Sequence, residues 1–329
     1  MSQSSLTVVI TGGAGFLGSL LARTLLKAGS LGVGGAAPQA IGRLLLVDLV
    51  APRPELAADE RVEAVVGELD DVAQELPDAD VVFHLAGVVS GAAEADFDLG
   101  LHTNLDGTRL VLERARAQAT PPVLVFASSV AVFGADPALG PIGRVDDDTL
   151  PRPQSSYGIQ KFIGEQLVAD YARKGFVRGR SVRLMTVSVR PGKPNAAASS
   201  FLSGIIREPL AGERAVCPVD PDLPVALSSP RKTIEGIMLA ATAADDAWGS
   251  LTAMTLPGLT TTPRAMAAAL DAVTGEETSA LIDWAPDPAI EAIVITWAAD
   301  VATPRAESMG LAPEASFDDI VRQYVESLG

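Results

Sequence analysis

The feature that most constrains this chain is TGGAGFLG at residues 11–18. It sits between the apolar run Thr7 to Thr11 and a segment in which Leu20, Leu21, Leu25 and Leu26 recur at helical spacing. Glycines at 12, 15 and 18 permit a tight turn, let backbone amides approach a phosphate closely and let a helix pack against a strand. The helix N-terminus adds a dipole that attracts negative charge. In this strand-to-helix context Gly12, Gly15, Phe16, Leu17 and Gly18 are expected to hold the pyrophosphate of a dinucleotide. Asp48 closes the next strand-like run, where a carboxylate can accept from both ribose hydroxyls and repel a 2′-phosphate, so NAD is expected rather than NADP. A strand-end aspartate can also simply cap the following turn.

Beyond this opening, apolar runs of strand length alternate with longer helical stretches. Strands are expected at Thr7 to Thr11, Leu44 to Asp48, Arg61 to Val66, Val81 to Ala86, Val123 to Ala127 and Ser181 to Val189. Helices are expected from about Gly15 to Ala28, Leu101 to Ala119 and Tyr157 to Gly175. The pattern predicts an α/β fold, a doubly wound parallel sheet of Rossmann type. The Gly-, Ala- and Pro-rich stretch Ser30 to Gly42 reads as a mobile surface loop. After Arg190 prolines interrupt the rhythm, which predicts a smaller, mainly C-terminal substrate domain. Residues 1–190 plus about 225–256 would form the NAD-binding domain, and about 191–224 with 257–329 the substrate-binding one.

With 329 residues, 48% of them hydrophobic, the chain can bury a substantial core. A formal charge of −16 speaks against nucleic-acid partners, which need clustered Lys and Arg. No run is long enough to span a membrane, and the start of the chain has no secretory pattern. Cys217 is the only cysteine, expected to be a buried apolar side chain in a reducing, cytoplasmic protein. The two histidines, His84 and His102, stand in no metal-ligand spacing, so no metal is expected.

Tyr157 and Lys161 lie four residues apart in YGIQK and so share one helix face. A phenol titrates near about 10 and becomes a usable base at neutral pH only if nearby positive charge stabilises the phenolate. Lys161 and an oxidised nicotinamide could supply that charge. Ser128 and Ser129 follow the strand Val123 to Ala127, at the strand end where open parallel sheets assemble their sites. A hydroxyl there can hold a substrate oxygen beside the tyrosine, or it can cap a turn.

TGGAGFLG, FHLAG at Phe83 to Gly87, NLDGT at Asn104 to Thr108, SSVAVFG at Ser128 to Gly134 and YGIQK together resemble the extended short-chain dehydrogenase/reductase family, also called the NAD-dependent epimerase/dehydratase family. The resemblance implies catalysis by Ser129, Tyr157 and Lys161, with Lys161 also reaching the nicotinamide ribose. It implies adenine contacts at Glu68 and Leu69, where Glu stands in place of the usual Asp, and cofactor contacts at Leu85, Ala86 and Gly87. Asn104 would support this hydrogen-bond network, and Ser90 would touch substrate. His84 is expected to be a structural neighbour, and a homodimer is implied.

Val130 and Ala131 stand where dehydratases of the family carry an acidic pair, which disfavours dehydration. The segment from Val182 to Glu213, with LSSPRKTIEGI, is similar to a subgroup that oxidises a four-carbon sugar acid, D-erythronate, to 2-dehydro-D-erythronate. Arg231 could pair with such a carboxylate, or be a surface arginine flanking a helix. Loop residues from Lys193 to Phe201 are expected to close over the substrate. The alternatives are a nucleotide-sugar epimerase with tightly held NAD and a non-catalytic dinucleotide-sensing protein.

Overall fold

The computed structural model describes residues 5–192 and 197–328. Among the described residues the strands are β1 Leu6–Thr11, β2 Ser30–Leu31, β3 Gln39–Asp48, β4 Val62–Val66, β5 Val81–His84, β6 Val123–Ser129, β7 Arg178–Leu184, β8 Thr186–Val187, β9 Ala215–Cys217, β10 Val225–Ser228, β11 Met254–Thr255, β12 Leu259–Thr261 and β13 Ile282–Trp284. The principal helices are α1 Phe16–Ala28, α2 Gly107–Arg116, α3 Ser156–Arg173, α4 Phe201–Leu210, α5 Pro230–Thr242, α6 Pro263–Thr274 and α7 Phe317–Glu326. The main sheet has the order β11-β7-β6-β5-β1-β3-β2, with β4 also paired to β3. Its pairings are parallel except for β2 on β3, giving the doubly wound α/β arrangement.

Alternate side chains of each strand serve opposite faces. Val8, Ile10, Leu44, Leu46, Phe83 and Val125 pack with Leu21 and Leu25 of α1 and Ile237 of α5. Val9, Leu45, Val47, Leu124 and Phe126 face the other way, against Val111 and Leu112 of α2 and Val168 of α3. Both faces are therefore covered, as a parallel sheet requires. A separate apolar cluster joins Leu202 and Ile205 of α4, Met266 and Leu270 of α6, and Ile320 and Val321 of α7. Cys217 is buried within it.

Ser30 to Gly42 is not a loose loop. Ser30 and Leu31 pair antiparallel with Ala40 and Gln39, and Leu31 and Ile41 are buried. Between them Arg178 donates to the Gly34 carbonyl at 3.0 Å, tying the segment to the sheet. Glycine and alanine are needed here because the backbone passes close under neighbours: a side chain on Gly35 would strike Ala244 at 2.6 Å.

The run expected as Ser181 to Val189 divides at Met185. Its first part, β7, pairs with β6, whereas β8 pairs with β10 in a second sheet. That divergence opens the space into which Met185 and Arg190 face. The helix expected from Leu101 is π-wound over Leu101–Asp106 before α2 begins. Of Lys193 to Phe201, residues 193–196 lie outside the described residues. Among the described residues no helix is long and apolar enough to cross a membrane.

Candidate active site

The C-terminal ends of β1, β3, β5 and β6 meet at one cleft of about 880 Å³. Its floor is the Gly-rich turn. Gly12 has φ +73°, a left-handed conformation that favours glycine, and a Cβ there would meet the Ala86 amide nitrogen at 2.8 Å. A Cβ on Gly18 would lie 2.0 Å from the Gly12 carbonyl oxygen, so α1 can begin this close to the turn only without a side chain. Gly12, Gly15, Phe16, Leu17 and Gly18 all line the cleft. A cradle that side chains would fill, opening on a helix N-terminus, fits a pyrophosphate.

Asp48 lines the cleft at the end of β3. One carboxylate oxygen accepts from Ala14 N at 3.0 Å and the other from Leu49 N at 2.8 Å, which fixes its orientation beside the glycine turn. Glu68, Leu69, Leu85, Ala86 and Gly87 line the same cleft. At its exposed mouth His102 Nε2 lies 3.1 Å from Asp70 Oδ2 and 3.9 Å from Glu68 Oε2. Glu68 and Asp70, two residues apart, could reach one cation together with the chain-distant His102. All three are solvent-exposed.

Asn104 does not line the cleft; it holds the wall in place. Its Oδ1 accepts from Val88 N at 2.9 Å, and its Nδ2 donates to Gln160 Oε1 at 2.8 Å. Ser90 opens the short helix Ser90–Ala95 and does face the cleft. His84 is buried between the Thr11 and Thr108 hydroxyls, at 2.7 and 3.0 Å. Burial, together with the Lys161 charge, pushes its pKa down to about 3, so it is neutral and structural.

Ser129, Tyr157 and Lys161 line this same cleft. Ser155 caps α3 by accepting from Gly158 N at 3.1 Å, which sets Tyr157 in the helix's first turn. Lys161 follows one turn later and is buried, its Nζ 5.7 Å from the Tyr157 ring centre and 4.9 Å from that of Phe126. Burial pushes its pKa down to about 8. Burial also raises the Tyr157 phenol above its ordinary value, while the Ser129 hydroxyl and the charge of Arg190 pull it back. Arg190 is thus a further cation at Tyr157, beside the neighbouring Lys161 that was expected there.

Behind the serines lies a buried network with no counterpart in the sequence reading. Ser128 Oγ donates to Glu165 Oε1 at 2.5 Å, and Arg183 Nε and Nη2 each donate to Glu165 at 2.9 Å. Glu165 and Arg183 are each only 2% exposed.

Arg231 does not reach the cleft. Pro230 begins α5, and the Arg231 guanidinium turns outward onto Glu314, Nη2 to Oε2 3.2 Å, with its own side chain 64% exposed. Glu314 also accepts from Ser229 and Gln323, so this arginine ties down the C-terminal segment. Arg190, missed by the sequence reading, lines the cleft instead.

The comparisons agree with this geometry. The chain is 49% identical over 328 residues to D-erythronate dehydrogenase of Cupriavidus necator, covering 98% of this chain and 99% of that one. It is 39% identical over 324 residues to D-erythronate dehydrogenase of Haemophilus influenzae, covering 97% and 98%. A solved structure described as the nucleoside-diphosphate-sugar epimerase from Agrobacterium tumefaciens superposes with a TM-score of 0.89 at 37% identity, covering 98% of this chain and 94% of that one. The NAD dependent epimerase/dehydratase family matches residues 8–224. With the glycine turn, the Asp48 carboxylate and the Tyr–Lys helix opening on one cleft, the chain belongs to that family.

Proposed function

We propose that this protein is an NAD-dependent dehydrogenase that oxidises D-erythronate to 2-dehydro-D-erythronate. The observation that carries the reading is that Ser129, Tyr157 and Lys161 line the same cleft as the glycine cradle and Asp48. When bound, NAD supplies the hydride acceptor and a positive ring at the cleft. Ser129 orients the substrate hydroxyl, and Tyr157 accepts its proton. Burial works against the phenolate, so the positive charges around Tyr157 must offset that cost. Lys161, buried beside the tyrosine, favours the ionised oxygen and can donate to the nicotinamide ribose. The full-length identity to two dehydrogenases of this specificity supports D-erythronate as substrate.

The test is NADH formation on adding D-erythronate and NAD. Tyr157→Phe should lower kcat by ~10²–10⁴ while NAD still binds. Unchanged turnover in that variant would remove the mechanism. The similarity to a solved structure described as a nucleoside-diphosphate-sugar epimerase keeps a second reading alive, in which hydride returns to the substrate. Turnover of a nucleotide sugar without net NADH would favour it.

We further assign residues 1–190 with about 225–256 to the NAD-binding domain, and about 191–224 with 257–329 to the substrate side. Ile159 and Ile163 stand exposed one turn apart on α3, with Phe97 also exposed, and such surface supports assembly as a homodimer. The single buried cysteine fits a reducing cytoplasm.

A further inference from the structure

Building on the proposed oxidation of a sugar acid, we infer that Arg190 grips the substrate carboxylate and thereby selects 2-hydroxy acids over neutral polyols. Among the described residues three arginines are buried, and each has a carboxylate: Arg180 with Asp245, Arg183 with Glu165, Arg207 with Glu208. Arg190 is half-buried at the cleft, and its side chain donates to the neutral Ser199 hydroxyl at 3.3 Å. Among the described residues no carboxylate pairs with it. A guanidinium drawn out of water without an anion costs free energy that an anionic ligand would recover.

The placement is built as well as charged. The Arg190 amide donates to Ser203 Oγ at 3.0 Å, and its carbonyl accepts from Arg207 Nη1 at 2.8 Å, so α4 pins the main chain on both sides. Of the other cations at the cleft, Lys161 lies over the Phe126 and Tyr157 rings, and His102 is engaged with Asp70 at the mouth. Among the described lining residues Arg190 alone offers a planar fork that matches a carboxylate with two parallel bonds. Its charge is felt at the Tyr157 phenol, so fork and base address one small volume. A carboxylate on the fork then puts the neighbouring carbon's hydroxyl nearest the base.

The experiment compares wild type, Arg190→Gln, Arg190→Lys and Arg231→Gln on D-erythronate, D-glycerate and glycolate against erythritol and glycerol, with NAD titration of each variant as the check on folding. Arg190→Gln should raise KM for the acids by ~100-fold or more, and Arg190→Lys by ~10-fold, since an ammonium keeps the charge but loses the fork. The acid-over-polyol ratio of kcat/KM should collapse in Arg190→Gln and persist in Arg231→Gln. A ratio kept in Arg190→Gln, or lost in Arg231→Gln, overturns the assignment. Wild type that oxidises D-glycerate but not D-erythronate overturns the substrate named above, while the ratio still decides the role of Arg190. Wild type that oxidises none of the acids overturns both.

Discussion

Glu165→Gln tests how the strand end carrying Ser128 and Ser129 is held. The carboxylate accepts one bond from Ser128 and two from Arg183, and both partners of the ion pair are buried to 2% exposure. A glutamine keeps the shape but removes the negative charge, so Arg183 is left as an uncompensated buried cation. Breaking such a pair costs about 3–5 kcal/mol. Among the described residues Arg183 Nη1 finds no hydrogen-bond acceptor, so the guanidinium has no second one there to fall back on. At ~2.1 cal/mol/K of unfolding entropy per residue, a chain of 329 residues loses about 1.4 °C per kcal/mol, and melting should fall by about 4–7 °C. Activity should fall with it, about 10- to 100-fold in kcat, because Ser128 loses its acceptor and the adjoining Ser129, proposed to orient the substrate hydroxyl, loses its support. Replacing the pair with apolar side chains, Glu165→Leu with Arg183→Met, removes both charges and should recover most of the melting temperature without recovering kcat. Differential scanning calorimetry with NADH-coupled kinetics reads both quantities. A Glu165→Gln protein melting within about 2 °C of wild type would refute the claim that this pair is desolvated and mutually dependent.

Gly18→Ala would push a methyl group to 2.0 Å from the Gly12 carbonyl, so the turn must deform; NAD affinity should drop by ~100-fold or more in a fluorescence titration. Asp48→Asn removes the charge proposed to repel a 2′-phosphate, and the NAD-over-NADP preference in kcat/KM should narrow by ~10-fold or more. His84 has its pKa lowered to about 3 from 6.5 by burial, so between those values the unfolded chain binds a proton that the native one refuses. The stability it confers is complete above pH 6.5 and is lost as the pH falls toward 3. By pH 4.5 the loss is about 3 kcal/mol, seen in urea unfolding as a decline that His84→Asn should lack.

Where local spacing encodes the structure, the sequence was readable. TGGAGFLG marks a turn because Gly15 and Gly18 crowd the Gly12 carbonyl within the motif itself, and Tyr157 and Lys161 share a face because α3 repeats every turn. Strand ends were less readable. The run from Ser181 to Val189 reads as one unbroken strand, yet β7 and β8 belong to different sheets, a division imposed by their distant partners β6 and β10. Ser30 to Gly42 has loop composition, but Arg178 and Ala244, far along the chain, pack upon its small residues.

The two arginines make the same point for the site. Arg231 and Arg190 are both basic residues beyond the recognisable motifs, and nothing local ranks one above the other. What separates them is the identity of their neighbours: Arg231 finds Glu314, 83 residues away, while Arg190 finds the Ser199 hydroxyl and the cleft. A charge already met by a carboxylate has little left to offer a ligand, whereas a partly buried one without an anion favours whichever anion can enter. Ligand specificity here is therefore written in a missing partner, and missing partners exist only once the chain has folded.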